Sequence, residues 1–155
     1  MRNILYIVQK PCSTVDAQGE EQDCFAALFS VIETARHHKG RIIFCGGEDD
    51  GAFMARCENF ARISGLVSFS VTQKDESLLS LLPDALHLVQ RKGLLQDLDE
   101  IHVFVRERDS SILDHLQELL RNLHVDPAPR LGLCISHRDI PELRPRTQLK
   151  LVSSS

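Results

Sequence analysis

The chain has 155 residues, 43% of them hydrophobic and 26% charged, and its formal net charge is −4. These values are typical of one globular domain that is large enough to bury a core. The acidic balance argues against a general binder of nucleic acids or of acidic membranes. No run approaches the roughly 20 apolar residues of a membrane span. The apolar run 4–8 is too short for a signal peptide and lacks a cleavage site, so we expect a soluble, cytoplasmic protein.

The cysteines are odd in number and widely spaced. They are Cys12, Cys24, Cys45, Cys57 and Cys134. No two of them form a C-x-x-C pair, so neither a zinc site nor a disulfide framework is indicated. We expect reduced, mostly buried thiols, and no metal or cofactor. For Cys45 the alternative is an activated thiol at the end of a strand.

Apolar runs of strand and helix spacing alternate along the chain. Strands are predicted at 3–8, 41–45, 66–71, 101–105, 131–135 and 149–152. Helices are predicted at 22–38, from the glycines after Cys45 to Gly65, at 78–89 and at 112–123. We expect the helix 78–89 in two pieces, because Pro83 belongs in a first helical turn. Residues 137–147 are predicted to be a loop.

The alternation from residue 22 onward predicts the fold class. It implies right-handed crossovers and a mainly parallel sheet with helices on both faces. We therefore predict an α/β fold, a three-layer α/β/α sandwich around a mainly parallel five-stranded sheet. The run 3–8 precedes this pattern as a possible extra N-terminal strand. Without linkers or repeats, the chain is predicted to form a single domain, 1–155, with its core at 23–152.

One segment, 41–51, combines a strand, a glycine corner and the start of a helix. Ligands often bind at such corners, because backbone N–H groups and the positive end of the helix dipole converge there. Here, however, Glu48, Asp49 and Asp50 stand where a phosphate usually binds. Two unit charges about 4 Å apart repel by about 4 kcal/mol at an effective dielectric of about 20. The sequence therefore predicts a ligand corner with the wrong charge for a phosphate.

Three segments resemble the sugar isomerase (SIS) domain, in particular its stand-alone sedoheptulose-7-phosphate isomerase type. The text F-C-G-G-E at 44–48 and A-F-M-A-R-C-E at 52–58 is similar to the family's C-G-N-G-G-S loop and A-x-x-F-A-x-E helix. The segment 103–111, V-F-V-R-E-R-D-S-S, takes the place of a strand and S-T-S-G-N-S. The segment 134–139, C-I-S-H-R-D, with 149–152, matches a T-G-x-D strand end and its return strand. The resemblance spans 23–152, rests mainly on topology and spacing, and implies an SIS-type sheet.

The resemblance also implies site residues. Glu58 takes the position of the catalytic glutamate and could act as the base that removes a carbon-bound proton. The alternative is a surface ion pair of Glu58 with Arg62, four residues on. The family's nearby histidine is Met54 here, and the C-terminal helix that carries a catalytic histidine has no counterpart. The ligand-binding positions fall on Gly46, Gly47, Glu48, Arg106, Arg108, Ser110 and Ser111.

Two of these positions would have to rebuild the phosphate anchor. Arg106 and Arg108 could do so, because guanidinium groups bind phosphate in a bidentate way. The alternative is that both arginines form solvated pairs with neighbouring carboxylates, including Glu107 and Asp109. Ser110 or Ser111 is also a natural N-cap of the helix that follows.

Three functions are compatible with the sequence. The first is an SIS-like binding or regulatory module with a degenerate site that acts through protein–protein contacts. The second is a sugar-phosphate isomerase or sugar-phosphate sensor with a rebuilt site. The third is a doubly wound nucleotide-binding protein that begins at strand 3–8, although residues 9–13 contain no glycine for a phosphate loop. The resemblance implies a dimer or tetramer, with helix 22–38 as the expected contact. We expect neither membrane nor direct nucleic-acid binding.

Overall fold

The structure, a computed structural model, describes residues 3–10, 18–74, 77–106 and 109–135, and within these it leaves aside the side chains of 18–27 and 135. The strands are β1 (Ile4–Gln9), β2 (Arg41–Gly47), β3 (Val67–Gln73), β4 (Glu100–Val105) and β5 (Arg130–Ile135). The helices are α1 (Gln18–His37), α2 (Gly51–Ile63), α3 (Leu78–Arg91) and α4 (Ser111–Asn122). A single turn of 3-10 helix, Glu48–Asp50, joins β2 to α2. Cys12, Glu107, Arg108, the predicted loop 137–147 and the predicted strand 149–152 lie outside the described residues.

The five strands form one parallel sheet, so the predicted α/β class is confirmed. Their order is β3-β2-β1-β4-β5. The sheet differs from the prediction in one respect, because β1 is its central strand rather than an addition to it. Its backbone pairs with β2 on one side and with β4 on the other. An unbroken apolar run such as 4–8 is typical of a strand that is buried on both faces.

Helices cover both faces of the sheet. Ile4, Tyr6 and Val8 pack with α1 and α2, whereas Leu5 and Ile7 pack with α3 and α4. The chain runs outward from β1 to β3 along one face and returns through α3 to β4 along the other. This reversal creates a topological switch point at the carboxyl ends of β1 and β4, the usual place for ligands in open α/β sheets.

Helix α3 is continuous through Pro83, so the prediction of two pieces is wrong. An interior proline costs a helix about 3 kcal/mol. Burial of a single large apolar side chain contributes about 1.5–3 kcal/mol. Six buried side chains therefore outweigh the proline: Leu78, Leu81, Leu82, Ala85, Leu86 and Val89.

The predicted helix end at Gly65 is confirmed, and α3 also ends at a glycine. Gly65 follows α2 with φ +87° and Gly93 follows α3 with φ +71°, a left-handed conformation that favours glycine. No helix in the described part of the chain is both long enough and apolar enough to cross a membrane.

Candidate functional site

The switch point lies between the ends of β1 and β4, and the glycine corner at the end of β2 is beside it. The Arg106 N–H donates to Gln9 Oε1 at 2.9 Å, and Arg106 Nε donates to the Lys10 carbonyl at 2.7 Å. The Lys10 N–H donates to the Cys45 carbonyl at 2.9 Å. These hydrogen bonds hold three strand ends together, so the groups beyond them have fixed positions.

The three carboxylates of the corner do not behave alike. Glu48 and Asp49 are exposed, whereas Asp50 is 2% exposed and points into the corner. Asp50 Oδ1 lies 2.7 Å from Lys10 Nζ, and Asp50 Oδ2 accepts the Gly47 N–H at 2.7 Å. The corner therefore contains one carboxylate, and a buried ammonium group balances its charge.

Asp50 makes the contacts that a bound anion would make. It accepts a backbone N–H at the start of a helical turn and faces a cation, which are the two features of an anion site at a helix N-terminus. The Lys10 ammonium also lies 5.0 Å from the centroid of the Phe53 ring, which adds a cation–π contact. The Asp50 carboxylate thus takes the place that an anion would have at such a helix N-terminus.

The two glycines end β2 rather than form the turn. Gly46 pairs with Thr72 of β3, and Gly47 pairs with Gln73. A Cβ atom on Gly46 would lie 2.8 Å from Asp50 Oδ2 and 3.0 Å from Met54 Cε. Glycine is therefore required at position 46 because the Asp50 carboxylate packs against the strand.

We expect Gly46→Ala to destabilise the protein by about 1–3 kcal/mol, the usual cost of overpacking. Lys10 and the Gly47 N–H hold Asp50 in place, so the carboxylate cannot give way to the added methyl group. Urea denaturation would measure the change in the free energy of unfolding. Gly51→Ala is the matched control, because its Cβ would meet no atom within 4 Å. Equal stability of the two variants would contradict this account of the corner.

Glu58 lies away from the switch point. Its carboxylate accepts a hydrogen bond from Ser70 Oγ at 2.9 Å, on the edge strand β3. The alternative for Glu58, an ion pair with Arg62, is not formed in the described part of the chain. Three strand spacings separate β3 from β4, or about 14 Å at about 4.8 Å each. The structure therefore does not bring Glu58 and Arg106 together.

The start of α4 is also occupied by a carboxylate. The backbone N–H and the hydroxyl of Ser111 donate to Asp109 Oδ1 at 3.0 and 2.6 Å. These hydrogen bonds hold the pKa of Asp109 below its usual value. Ser110 is at the N-cap position, but its hydroxyl makes no cap hydrogen bond. Asp109 rather than a serine thus supplies the acceptor at this helix N-terminus.

Three cysteines have described side chains, and all three are free and buried: Cys45, Cys57 and Cys134. Burial raises the pKa of both Cys45 and Cys57 to about 12. A thiol with such a pKa carries almost no thiolate at neutral pH and is a poor nucleophile. Cys45 therefore packs in the core and is not activated. Within the described residues, no three histidine, cysteine or carboxylate side chains are grouped to hold a metal ion.

A separate cavity of about 960 Å³ borders α4 and β5. Its wall includes the buried pair His102 Nε2–Glu100 Oε1 at 3.1 Å, and Arg130 lies 3.3 Å from the other Glu100 oxygen. Ser110 also lines this cavity. The wall carries charges of both signs, such as Asp114 and Arg121, together with apolar side chains, such as Leu120 and Val125.

Sequence reasoning missed Gln9 and Lys10. The carboxyl ends of neighbouring parallel strands meet at one edge of the sheet, so a cation directly after β1 and a carboxylate after β2 can pair there. The sequence predicts the run 3–8 only as a possible extra strand, and the pairing of Lys10 with Asp50 cannot be predicted without the position of that strand in the sheet.

Comparisons with known proteins add little to this geometry. No family model matches the chain, and no curated protein matches it. A solved structure, the MID domain of the N. crassa Argonaute protein QDE-2, has 12% sequence identity and a TM-score of 0.36. That match covers 99% of this chain and 92% of the other. A likeness at this level supports no argument about function.

Proposed function

We propose that this chain is a non-catalytic SIS-like binding or regulatory module with a degenerate ligand site, which acts through contacts with another protein. The observation that carries the proposal is the buried Asp50 carboxylate in the glycine corner. If the corner corresponds to the phosphate site that the SIS resemblance implies, this carboxylate lies where the phosphate would bind.

Displacement of Asp50 from the corner by a phosphate would cost free energy. A phosphate that entered would have to displace Asp50 from both Lys10 and the Gly47 N–H. Breaking a buried ion pair on one side costs about 3–5 kcal/mol. A sugar phosphate would have to recover this cost before it gained any net affinity.

The separation of Glu58 from the strand ends also supports a non-catalytic role. Aldose–ketose isomerisation requires a base and a phosphate anchor that hold one substrate in a fixed geometry. Glu58 is hydrogen-bonded to Ser70 at the edge strand, whereas Arg106 is tied to Gln9 and Lys10 at the centre of the sheet. These two residues are not arranged as the halves of one active site.

Exposed aromatic surface supports contact with a protein partner. Phe29 of α1 is 40% exposed, and its ring centroid lies 4.5 Å from that of Phe60 on α2. Exposed aromatic side chains are enriched at the centres of protein interfaces. Phe29 lies on helix 22–38, which the sequence predicts as the contact between copies of the chain, and Phe60 lies beside it on α2.

The alternative is a sugar-phosphate sensor or isomerase with a rebuilt site, and one observation favours it. Arg106 is half-buried at the switch point, where ligands bind in open α/β sheets. A phosphate held there would use Arg106, with Arg108 as a second predicted ligand. Binding at the switch point would not require the glycine corner.

A thermal-shift assay with hexose and heptose phosphates separates the two functions. We expect no shift for the wild-type protein, because the corner is already filled. A ligand present at about 100 times its Kd would stabilise the fold by about 2.7 kcal/mol, which raises the Tm by several degrees.

The assay has controls in the same chain. A shift that is lost in Arg108→Ala or Glu58→Ala would overturn the binding-module proposal and support the alternative. A shift that persists in both variants would also contradict the proposal and would place the ligand elsewhere. Inorganic sulfate controls for a general effect of anions.

A further inference from the structure

Strand β3 is a long, uncharged edge strand. Its seven residues, V-S-F-S-V-T-Q, pair with β2 on one side, and no other described strand pairs with it. None of the seven is fully buried, and Val67 is 50% exposed. Proteins usually protect such an edge with lysine, proline or a bulge, and Val67–Gln73 contains no lysine or proline. The outer backbone groups of β3 are therefore suited to pairing with another strand.

Two opposite charges, one on α3 and one directly after it, flank this edge on one sheet face. The Lys92 ammonium lies 5.9 Å from the centroid of the Phe69 ring. Asp84 accepts a hydrogen bond from Gln73 Nε2. Phe69 and Gln73 are four residues apart on the same face, so the two charges lie about 13 Å apart along the strand.

We propose that β3 pairs in antiparallel orientation with β3 of a second copy of this chain, about a two-fold axis through Val71. Val71 is midway between Phe69 and Gln73, so this axis places Phe69 opposite Gln73 of the second copy. Lys92 of each copy then lies level with Asp84 of the other. Opposite charges therefore meet only in antiparallel pairing, because parallel pairing in register would place Lys92 level with Lys92.

The other face of the edge is compatible with this register. Ser70 and Thr72 share the face that packs with α2, and Ser70 lies opposite Thr72 of the second copy. The Glu58 carboxylate is next to this position, because it accepts the Ser70 hydroxyl. Two neutral hydroxyl residues lie directly opposite each other there, so the register pairs no like-charged strand residues.

A two-fold contact of this kind ends with two copies, since both copies use the same strand and neither has it free for a third. It differs from the contact on helix 22–38 that the sequence suggested. It also goes beyond the proposed function, because a chain that bound sugar phosphates could pair in the same way. Self-association and the ligand-induced shift are separate measurements, and either can fail alone.

A charge exchange tests the register. Sedimentation velocity of the full chain over a range of concentrations should show a monomer–dimer equilibrium. Lys92→Glu and Asp84→Lys should each raise the dimer Kd about tenfold or more, because each places like charges together. The double variant should restore the wild-type Kd. A wild-type protein that stays monomeric, or a dimer without rescue in the double variant, would overturn the proposal.

A matched pair of variants at Thr72 tests the strand itself. Thr72 is exposed, so both Thr72→Glu and Thr72→Gln should fold, which thermal unfolding would verify. Only the glutamate would face the Glu58 carboxylate of the second copy, and only it should weaken the dimer. Equal Kd values for these two variants would contradict pairing through β3.

Discussion

Removal of residues 1–10 is expected to leave a chain that does not fold. These residues contain β1, the central strand, and their loss would remove its hydrogen bonds to both β2 and β4. It would also remove five side chains that are at most 2% exposed, Ile4 to Val8. At about 1.5–3 kcal/mol each, their burial contributes about 8–15 kcal/mol, as much as the whole stability of a typical domain. Circular dichroism and amide NMR spectra would show the loss.

A point variant checks the same conclusion in a full-length chain. Ile7→Ala should lower the free energy of unfolding by about 2–5 kcal/mol, because Ile7 is fully buried in the centre of the sheet. Val67→Ala in the edge strand is the control and should change it by less than about 0.5 kcal/mol. A folded fragment that begins at residue 11 would mean that β1 is an addition to a core formed by 23–152.

Asp50→Ala should lower the free energy of unfolding by about 3–5 kcal/mol, the second largest effect that we expect. The variant leaves the Lys10 ammonium buried without its partner and removes the acceptor of the Gly47 N–H. Chemical denaturation would measure the change. Asp49→Ala is a matched control, since its carboxylate is exposed and adjacent in sequence.

Two further measurements make the Asp50 result specific to the ion pair. In a double-mutant cycle with Lys10→Met, the double variant should lose less stability than the sum of the two single variants. Inorganic phosphate should stabilise Asp50→Ala but not the wild-type protein, because the emptied corner offers an N–H and an ammonium group to an anion. A loss below about 1 kcal/mol would mean that the pair contributes little and that the corner is open to ligands.

Local patterns predicted most of the helices and strands, because they depend on neighbours in the sequence. Apolar spacing located α4, and glycines with positive φ ended α2 and α3. The sequence predicts strand, corner and helix over 41–65, and the structure contains β2, a 3-10 turn and α2 there in that order. Pro83 shows the limit of such rules, since the burial of a leucine-rich face kept α3 continuous.

The candidate site was harder to predict because its contacts join distant parts of the chain. Lys10 and Asp50 are 40 residues apart, and they meet only because β1 and β2 are parallel neighbours. Without that pairing, Asp50 had to be interpreted as a charge that repels ligands. Glu58 had the spacing of a catalytic residue, but its position on α2 next to β3 separates it from Arg106.

The sequence by itself determined the α/β class, the parallel sheet and the positions of its helices, because alternation and periodicity are properties of the local chain. Only the tertiary structure decided that residues 4–9 form the central strand, and that Asp50 fills the corner while Glu48 and Asp49 face the solvent. The physical reason is that strand order and ion pairing depend on which segments meet in space. Many strand orders can bury the same apolar residues. The net charge of the glycine corner depends on which cation lies next to its carboxylate.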